Sequence, residues 1–155
     1  MPRVFRLVKA KHAARAFDGE GARLYGGRWN SPGLRVAYAS ESVALAALEL
    51  LVHLEQQALL ARYAVCAVRV PDAALETLDE AVLPADWRSA PAPVALQEIG
   101  RSWLESARSP ALAVPSAVVP IERNVLLNPA HRDWHRIRRD DPAPFTLDPR
   151  LARKR

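Results

Sequence analysis

The sequence lacks most of the features that mark a secreted, metal-binding or membrane-spanning protein. Its single cysteine, Cys66, cannot form a disulfide within the chain, and its apolar surroundings favour a small buried residue over a nucleophile. The 4 histidines show no ligand spacing beyond the i,i+4 pair of His131 and His135. No apolar run approaches the ~20 residues of a membrane span, and the N-terminal residues lack the apolar core of a signal peptide. We therefore expect a cytoplasmic protein with no metal, no bound cofactor and no membrane partner.

Common motifs for nucleotide binding and hydrolysis are missing as well. The sequence has neither a Walker loop nor a strand–Gly-x-Gly-x-x-Gly–helix unit, and it has no Gly-x-Ser-x-Gly nucleophile elbow. The chain is nevertheless 50% hydrophobic, and its 155 residues suffice for one folded core. With no linker or internal repeat, we expect a single domain over residues 1–155 whose last part, from about residue 132 to 155, is polar and rich in arginine and proline.

The charge balance is basic, with a net charge of +5 and a pI near 10.0. Such a balance favours anionic partners, namely nucleic acid, nucleotides or an acidic protein. Positive charge is concentrated late in the chain, at Arg132, Arg136, Arg138, Arg139 and the final Arg-Lys-Arg. Aspartates interrupt this run, which weakens a case for DNA binding but leaves open a basic nucleic-acid-binding module without catalysis.

The glycines are concentrated in one stretch, because 4 of the 6 fall between positions 19 and 27. Glycine lets a ligand approach the backbone closely, and Arg23 and Arg28 bracket the pair Gly26 and Gly27. A guanidinium beside exposed backbone N–H groups is a good receptor for phosphate oxygens. The stretch therefore predicts a phosphate-binding loop, although a turn with two solvated arginines explains the same residues. Asn30 either satisfies this turn or binds a ligand.

An almost wholly apolar helix is predicted over residues 44–54, with Ser40 or Ser42 as its N-cap. Glu49 lies in its middle, and a carboxylate is rarely buried without a partner or a task. Helical spacing would place Ser42, Glu49 and His53 on one face. That face is either part of a site, or it meets water with Glu49 and His53 paired.

The remaining pattern predicts an α+β or mixed α/β protein with a central β-sheet and flanking helices. Strands are expected at 4–9, 34–39, 63–70 and 111–119, a further helix at 94–107, and loops at 18–28, 71–93 and 120–129. Arg6, in the first strand, is interpreted as an outward residue rather than a second phosphate contact. Pro115 is expected to confine its strand to an edge or bulge. Asn124 is expected to hydrogen-bond its own loop backbone rather than act in catalysis, with substrate binding as its site role.

Arg28, Tyr38 and Glu49 thus fall within one loop–strand–helix unit, and together they suit a ligand with phosphates, a flat ring and a ribose. The runs Gly-Gly-Arg-Trp-Asn-Ser-Pro-Gly, Val-Ala-Tyr-Ala-Ser-Glu-Ser, Ala-Leu-Glu and Val-Pro-Ser-Ala-Val-Val-Pro-Ile-Glu-Arg-Asn-Val-Leu-Leu-Asn-Pro resemble the RES-domain family. The resemblance runs from about Phe5 to His131. Members are toxins of bacterial toxin–antitoxin pairs.

The resemblance implies a fold similar to ADP-ribosyltransferases and an activity that degrades NAD. Family members act as NAD glycohydrolases or phosphorylases, and some are reported as protein ADP-ribosyltransferases. On the family's pattern the catalytic residues are Arg28, Tyr38, Glu49 and Ser116. With the residues considered above, the candidate substrate-binding set is Arg23, Gly26, Gly27, Asn30, His53 and Asn124. Water, inorganic phosphate and a protein side chain all stay open as the acceptor.

The same resemblance implies a protein partner. A helix-turn-helix antitoxin would cover the cleft, so that DNA is contacted only through the antitoxin, and a homodimer within a hetero-oligomer is one arrangement this allows. An RNA-cleaving toxin that uses His131 or His135 as its base is the competing enzyme.

Overall fold

The computed structural model describes residues 1–54 and 56–152. The last three residues of the predicted basic tail, 153–155, lie outside the described residues. Eight strands form one sheet in the order β4-β5-β6-β2-β1-β3-β7, with β8 also paired to β3. Their bounds are β1 Arg3–Lys9, β2 Ala37–Ser40, β3 Tyr63–Arg69, β4 Leu75–Thr77, β5 Ala111–Pro115, β6 Arg123–Leu127, β7 Arg138–Arg139 and β8 Ala143–Phe145.

Within residues 1–54 and 56–152, three α-helices accompany the sheet, α1 at Glu20–Tyr25, α2 at Val43–Leu51 and α3 at Val94–Ser106. Ser42 caps α2, since its side chain accepts a hydrogen bond from the N–H of Leu45 at 3.0 Å. The α+β class with a central sheet and flanking helices is therefore confirmed. Among the described residues, no helix combines the length and the apolar character needed to cross a membrane.

Apolar residues cover both faces of the sheet. One cluster contains Phe17, Val68 and Val125, and the other contains Trp29, Trp103 and Leu126. Alternate residues of a strand point to opposite faces, so neighbours such as Val125 and Leu126 belong to different clusters. Trp29 is 2% exposed and packs as a core aromatic. Burial on both faces explains why β3 reads as a nearly continuous apolar run.

Several predicted bounds were wrong. The loop predicted at 120–129 contains β6, and β5 lies between β4 and β6 rather than at an edge, with Pro115 as its last residue. The loop predicted at 18–28 contains α1, which the Asp18 side chain helps to start by accepting from the Glu20 N–H at 2.9 Å. Strand β2 begins three residues later than predicted, and α2 ends at Leu51 rather than at 54.

The polar segment after residue 132 completes the sheet. Strands β7 and β8 both pair antiparallel with β3. Arg139 donates to the carbonyls of Ala13 and Ala14 and lies 5.4 Å from the centre of the Phe17 ring. At least one of the tail arginines is therefore engaged in packing, and two short strands of the segment extend the sheet beyond β3.

Candidate active site

Glu49 is held by two side chains that are distant from it in sequence, one directly after β5 and one in β6. The Ser116 hydroxyl and the Asn124 amide each donate to Glu49 Oε1 at 2.7 Å. Glu49 itself is only partly buried. Among residues 1–54 and 56–152, no hydrogen bond to Oε2 is found, so this oxygen is available to a ligand. Two donors on one oxygen suit an acceptor that carries negative charge.

Ser116 sits directly after β5 and is fully buried, at 0% exposure. Its Oγ accepts hydrogen bonds from the backbone N–H groups of Val118 and Val119, at 3.1 and 3.0 Å, while it donates to Glu49. The hydroxyl is thus fully occupied within the protein. In this arrangement Ser116 contacts Glu49 and the loop that follows β5.

Asn124 lies in β6, opposite Ser40 in the register with β2. Ser40 Oγ donates to Asn124 Oδ1 at 2.8 Å, and Asn124 Nδ2 faces Glu49. The expectation that Asn124 pins a loop through backbone bonds was wrong, because both ends of its amide contact side chains.

Arg28 and Tyr38 belong to a second cluster on the same face of the sheet. Arg28 Nη1 donates to the carbonyls of Trp87 and Ser89, both at 3.0 Å. Among the described residues its Nη2 and Nε make no hydrogen bond, which leaves a side of the guanidinium for an anion. The Tyr38 hydroxyl donates to Asn30 Oδ1 at 2.5 Å and accepts from the N–H of Trp29 at 3.1 Å.

The environment of Tyr38 favours a neutral phenol. Burial raises the pKa of Tyr38 well above its usual value, and this effect outweighs the lowering by the Trp29 N–H and the charges of Arg28 and Arg6. Tyr38 therefore keeps its proton, and its hydroxyl is a donor committed to Asn30.

Asn30 organises the glycine-rich loop and is fully buried, at 0% exposure. Its Nδ2 donates to the carbonyls of Ala22 and Leu34 at 2.9 and 3.1 Å, while its Oδ1 accepts from Tyr38. The sequence left open whether Asn30 satisfies the turn or binds a ligand. The structure shows that it satisfies the turn and not the predicted substrate contact, because all of its amide groups are used inside the protein.

Gly26 and Gly27 form a tight turn rather than an open phosphate cradle. A Cβ on Gly27 would lie 2.7 Å from Tyr38 Oη, so only glycine allows the tyrosine to approach this closely. The Gly27 N–H donates to the carbonyl of Asn30 at 2.9 Å. On α3, Gln97 donates to the Gly27 and Asn30 carbonyls at 3.2 and 3.3 Å. The Gly27 amide is thus unavailable to a phosphate.

Two other predicted substrate contacts are also placed elsewhere. Arg23 is paired with Glu20, which raises the pKa of Arg23 through their hydrogen bond, and Arg35 pairs with the same carboxylate at 3.1 Å. His53 is exposed and lies beyond the end of α2 at Leu51. The predicted face shared by Ser42, Glu49 and His53 is therefore not formed, because the helix ends too early.

Arg6 is the residue that sequence analysis misjudged most. Strands β1 and β2 are in register at Phe5 and Ser40. Beyond that point Arg6 Nη1 donates to the Tyr38 carbonyl at 2.9 Å, where a continuing ladder would place a backbone N–H. Its Nε is buried without a partner in the described structure. Burial lowers the pKa of Arg6 from its usual value, but an arginine stays charged. An inward-facing cation thus sits where the two strands separate.

A cavity of about 440 Å³ opens beside Arg6. Its walls come from β1, the segment from Asp18 to Leu24, Val36 and the end of α2 at Leu50. Its basic lining residues are Arg6, Lys9, His12 and Arg15, and its acidic ones are Asp18 and Glu20. Glu49 precedes the lining residue Leu50 in sequence. Arg6, which also lines the cavity, donates a hydrogen bond to the Tyr38 carbonyl. The cavity is suited to an anionic ligand.

The motif residues do not line this cavity. Neither it nor a second cavity of about 520 Å³, near Phe17 and Trp134, is lined by Arg28, Tyr38 or Glu49. The motif residues form two clusters. Tyr38 of one and Ser40 of the other are alternate residues of β2, about 7 Å apart on one face. The two clusters therefore lie on the same face of the sheet.

The histidines have structural roles or are exposed. His131 is 6% exposed, its Nδ1 accepts from the N–H of Asp133 at 2.9 Å, and its Nε2 lies 2.8 Å from the Ala107 carbonyl. Both ring nitrogens are thus used, which argues against a catalytic base. His135 is exposed, with Nδ1 3.1 Å from the Arg132 carbonyl. In the described part of the chain, no group of three or more potential ligand residues could hold a metal ion.

Comparison with known proteins adds three findings. The profile of the RES domain matches residues 3–148. The chain is 40% identical over 154 residues to a Photorhabdus laumondii protein named Toxin Res, covering 97% of each. It is 42% identical over 141 residues to a Sphingobium protein named Prs ADP-ribosylating toxin, covering 88% of this chain and 87% of the relative.

A solved structure has the same fold. It is the toxin–antitoxin complex MbcT–MbcA of M. tuberculosis, matched with a TM-score of 0.77 at 24% identity over 97% of this chain and 86% of that one.

Proposed function

The chain belongs to the RES-domain family, and we propose that it is a toxin that depletes NAD by cleaving the bond between nicotinamide and ribose. The observation that carries the proposal is the geometry of Glu49. One oxygen of its carboxylate is fixed by Ser116 and Asn124, and the other makes no hydrogen bond within the described residues. Leu50, the next residue of α2, lines a cavity that also has basic side chains in its walls. The helix that borders a receptor for phosphates thus carries a fixed negative charge.

Glu49 is suited to the charge that develops during this reaction. The bond between ribose C1′ and the nicotinamide nitrogen breaks, and its electron pair leaves with the ring, which becomes neutral. Positive charge then spreads over C1′ and the ring oxygen of the ribose, as in glycoside hydrolysis. Glu49 Oε2 stabilises this charge or holds the ribose hydroxyls, because it is oriented before the substrate arrives. The acceptor oxygen bonds to C1′ and gives up its proton.

Arg28 and Arg6 are the proposed contacts for the pyrophosphate. Arg28 uses only Nη1 to bind carbonyls in the described structure, and Arg6 lines the cavity with only its Nη1 engaged, by the Tyr38 carbonyl. A guanidinium with unused N–H groups binds phosphate oxygens well. The Tyr38 ring would pack on the ribose or nicotinamide, while its hydroxyl stays with Asn30. Ser116 would act through Glu49.

We also propose that a cognate antitoxin covers this site. The similar M. tuberculosis protein was solved as a toxin–antitoxin complex. In this chain exposed apolar residues flank both motif segments, with Tyr25 at 84% exposure just before the glycine pair and Ile121 at 95% in the loop after Ser116. Exposed apolar residues beside the motif segments of a basic protein suit a partner that brings both apolar contacts and an acidic segment.

The antitoxin proposal is tested by co-purification with the product of the neighbouring gene. Tyr25→Ser and Ile121→Ser should each reduce recovery of the complex, whereas Val94→Ser, at another exposed apolar residue, should not. If no complex forms with the unaltered chain, the proposal is wrong.

The activity is tested by incubating the purified, antitoxin-free protein with NAD, with and without inorganic phosphate, and following nicotinamide and the ribosyl product. Release without phosphate identifies a glycohydrolase, and release that requires phosphate identifies a phosphorylase. If nicotinamide release requires an added protein that becomes labelled, the chain is a protein ADP-ribosyltransferase. No release from folded protein under any of these conditions contradicts NAD cleavage and favours the basic nucleic-acid-binding module.

A further inference from the structure

Glu49 is joined to Ser40 through Asn124, and neither Ser40 nor Asn124 is among the proposed substrate contacts. Ser40 is 4% exposed and lies opposite Asn124 in the antiparallel register of β2 and β6. Its hydroxyl donates to Asn124 Oδ1 at 2.8 Å, and Asn124 Nδ2 donates to Glu49 Oε1 at 2.7 Å. The two bonds run across the sheet from a buried strand residue to the carboxylate.

The contacts of Asn124 fix which way its amide faces. A carboxylate can only accept hydrogen bonds, so the nitrogen of the amide must face Glu49. The oxygen then faces Ser40, whose hydroxyl is placed to donate to it. Without this hydroxyl, nothing in the described contacts would hold the oxygen end of the amide.

The backbone around these residues is also tied together. The Glu41 N–H donates to the Arg123 carbonyl at 3.1 Å, and the Arg123 N–H donates to the Glu41 carboxylate at 3.0 Å. The turn that leads into α2 is therefore anchored to the start of β6. Glu49 and Asn124 are thus carried by elements whose separation is fixed.

We propose that Asn124, oriented by Ser40, is a positioning residue that fixes the Glu49 carboxylate so that Oε2 faces the substrate. This rests on the proposed function and replaces the expectation that Asn124 binds substrate. A misplacement of about 1 Å can reduce a rate by roughly 100-fold. The loss should appear in kcat, because substrate contacts are left in place.

The kinetic test compares Asn124→Ala and Ser40→Ala with Ser42→Ala. The first two should lower kcat for nicotinamide release by roughly 10- to 100-fold with KM for NAD within about threefold, as expected for misplacement of a reacting group. Ser42→Ala removes the N-cap of α2, the helix that carries Glu49, but removes no contact of the Glu49 carboxylate. The kcat of this variant should stay at the wild-type value. A raised KM with unchanged kcat in Asn124→Ala would make Asn124 a substrate contact and overturn the proposal.

The pH dependence of activity in Asn124→Asp distinguishes a positioning role from a purely structural one. It places a second carboxyl group against Glu49, and two such groups share a proton as the pH falls. A protonated Asp restores a donor to Glu49, so activity should rise relative to the wild type when the pH is lowered from 8 towards 5. A relative activity that does not change with pH contradicts the positioning role.

A spectroscopic measurement separates this inference from the proposed function. The NMR signal of the Asn124 side-chain amide is identified by its loss in Asn124→Ala. Its chemical shift should change in Ser40→Ala and in Glu49→Gln but not in Ser42→Ala. If these shifts occur and wild-type protein releases no nicotinamide, NAD cleavage is wrong and the contact geometry stands. If the signal responds to neither variant, the positioning proposal is wrong, whatever the activity.

Discussion

Two asparagine amides hold the two halves of the site, and they do so in different ways: Asn30 is buried and Asn124 is half-buried. Asn30 bonds to backbone carbonyls of its own loop and to the Tyr38 hydroxyl. Asn124 bonds to Ser40 and to the Glu49 carboxylate. The first therefore maintains the shape of a loop, and the second maintains the direction of a charge. Substitutions near Asn30 should mainly change stability, and those near Asn124 should mainly change turnover.

The largest expected effect on stability is that of Asn30→Ala. It leaves the carbonyls of Ala22 and Leu34 and the Tyr38 hydroxyl without their partner in a buried site. Each unsatisfied buried group costs about 1–3 kcal/mol, and we expect a total loss of ~3 kcal/mol or more. Urea denaturation measures the free energy of unfolding. A loss no greater than that of Asn124→Ala would contradict the distinction between the two asparagines.

Gly27→Ala should have the next largest effect. The added methyl would lie 2.7 Å from Tyr38 Oη and 2.9 Å from Asn30 Oδ1, so the tyrosine must move. We expect a loss of ~2 kcal/mol, the scale of overpacking in a core. The matched control is Gly21→Ala in α1, where nothing lies within 4 Å of the new atom. This control should stabilise the protein by ~0.5 kcal/mol, and equal losses in both variants would contradict the close contact.

Tyr38→Phe should change how stability depends on pH. Burial raises the pKa of Tyr38 in the folded state above the ordinary value of ~10. The folded protein therefore gains stability from the neutral phenol below pH ~10. As the pH rises above 10, this contribution is lost at ~1.4 kcal/mol per pH unit. Stability of the wild type should thus fall as the pH rises above 10. The fall should be smaller in Tyr38→Phe, with a remainder from Tyr63, whose pKa is also raised by burial. An unchanged slope would mean that Tyr38 is not buried in solution.

Arg6→Met should show the smallest effect on stability and a large one on NAD binding. It removes a buried cation with an unpartnered Nε and keeps the apolar bulk of the side chain. Replacing a poorly compensated buried charge by an apolar residue is often neutral or stabilising, by ~1 kcal/mol. Chemical denaturation and the KM for NAD are the measurements. A strong loss of stability with normal KM would assign Arg6 to the fold rather than to the substrate.

The sequence predicted the parts of the fold whose pattern is local. Strand β1, strand β3 and helix α3 were found at nearly the predicted bounds, because each has a long, regular apolar pattern. Strand β6 was missed because it is short and lies between prolines at 120 and 129. Its place in the middle of the sheet depends on pairing with β2 and β5, which are distant in sequence.

The site was predicted in part for the same reason. Glu49 stood out as a carboxylate in an apolar helix, but its contacts with Ser116 and Asn124 join segments more than 60 residues apart, at separations of 67 and 75. The Arg6 side chain points inward because β1 and β2 separate beside it. The hydrophobic pattern of the sequence does not indicate where two strands separate. Likewise, no local pattern in the sequence indicates that the amide of Asn30 is fully hydrogen-bonded within the protein.

The most direct test of the account is nicotinamide release from NAD by Glu49→Gln beside the wild-type protein. This change keeps the shape of the side chain and removes its charge. We predict that turnover falls by at least 100-fold, as when a group that stabilises transition-state charge is lost, while the thermal midpoint of unfolding stays within about 3 °C of the wild type. Wild-type turnover in the folded variant would contradict the central claim that the fixed Glu49 carboxylate drives NAD cleavage.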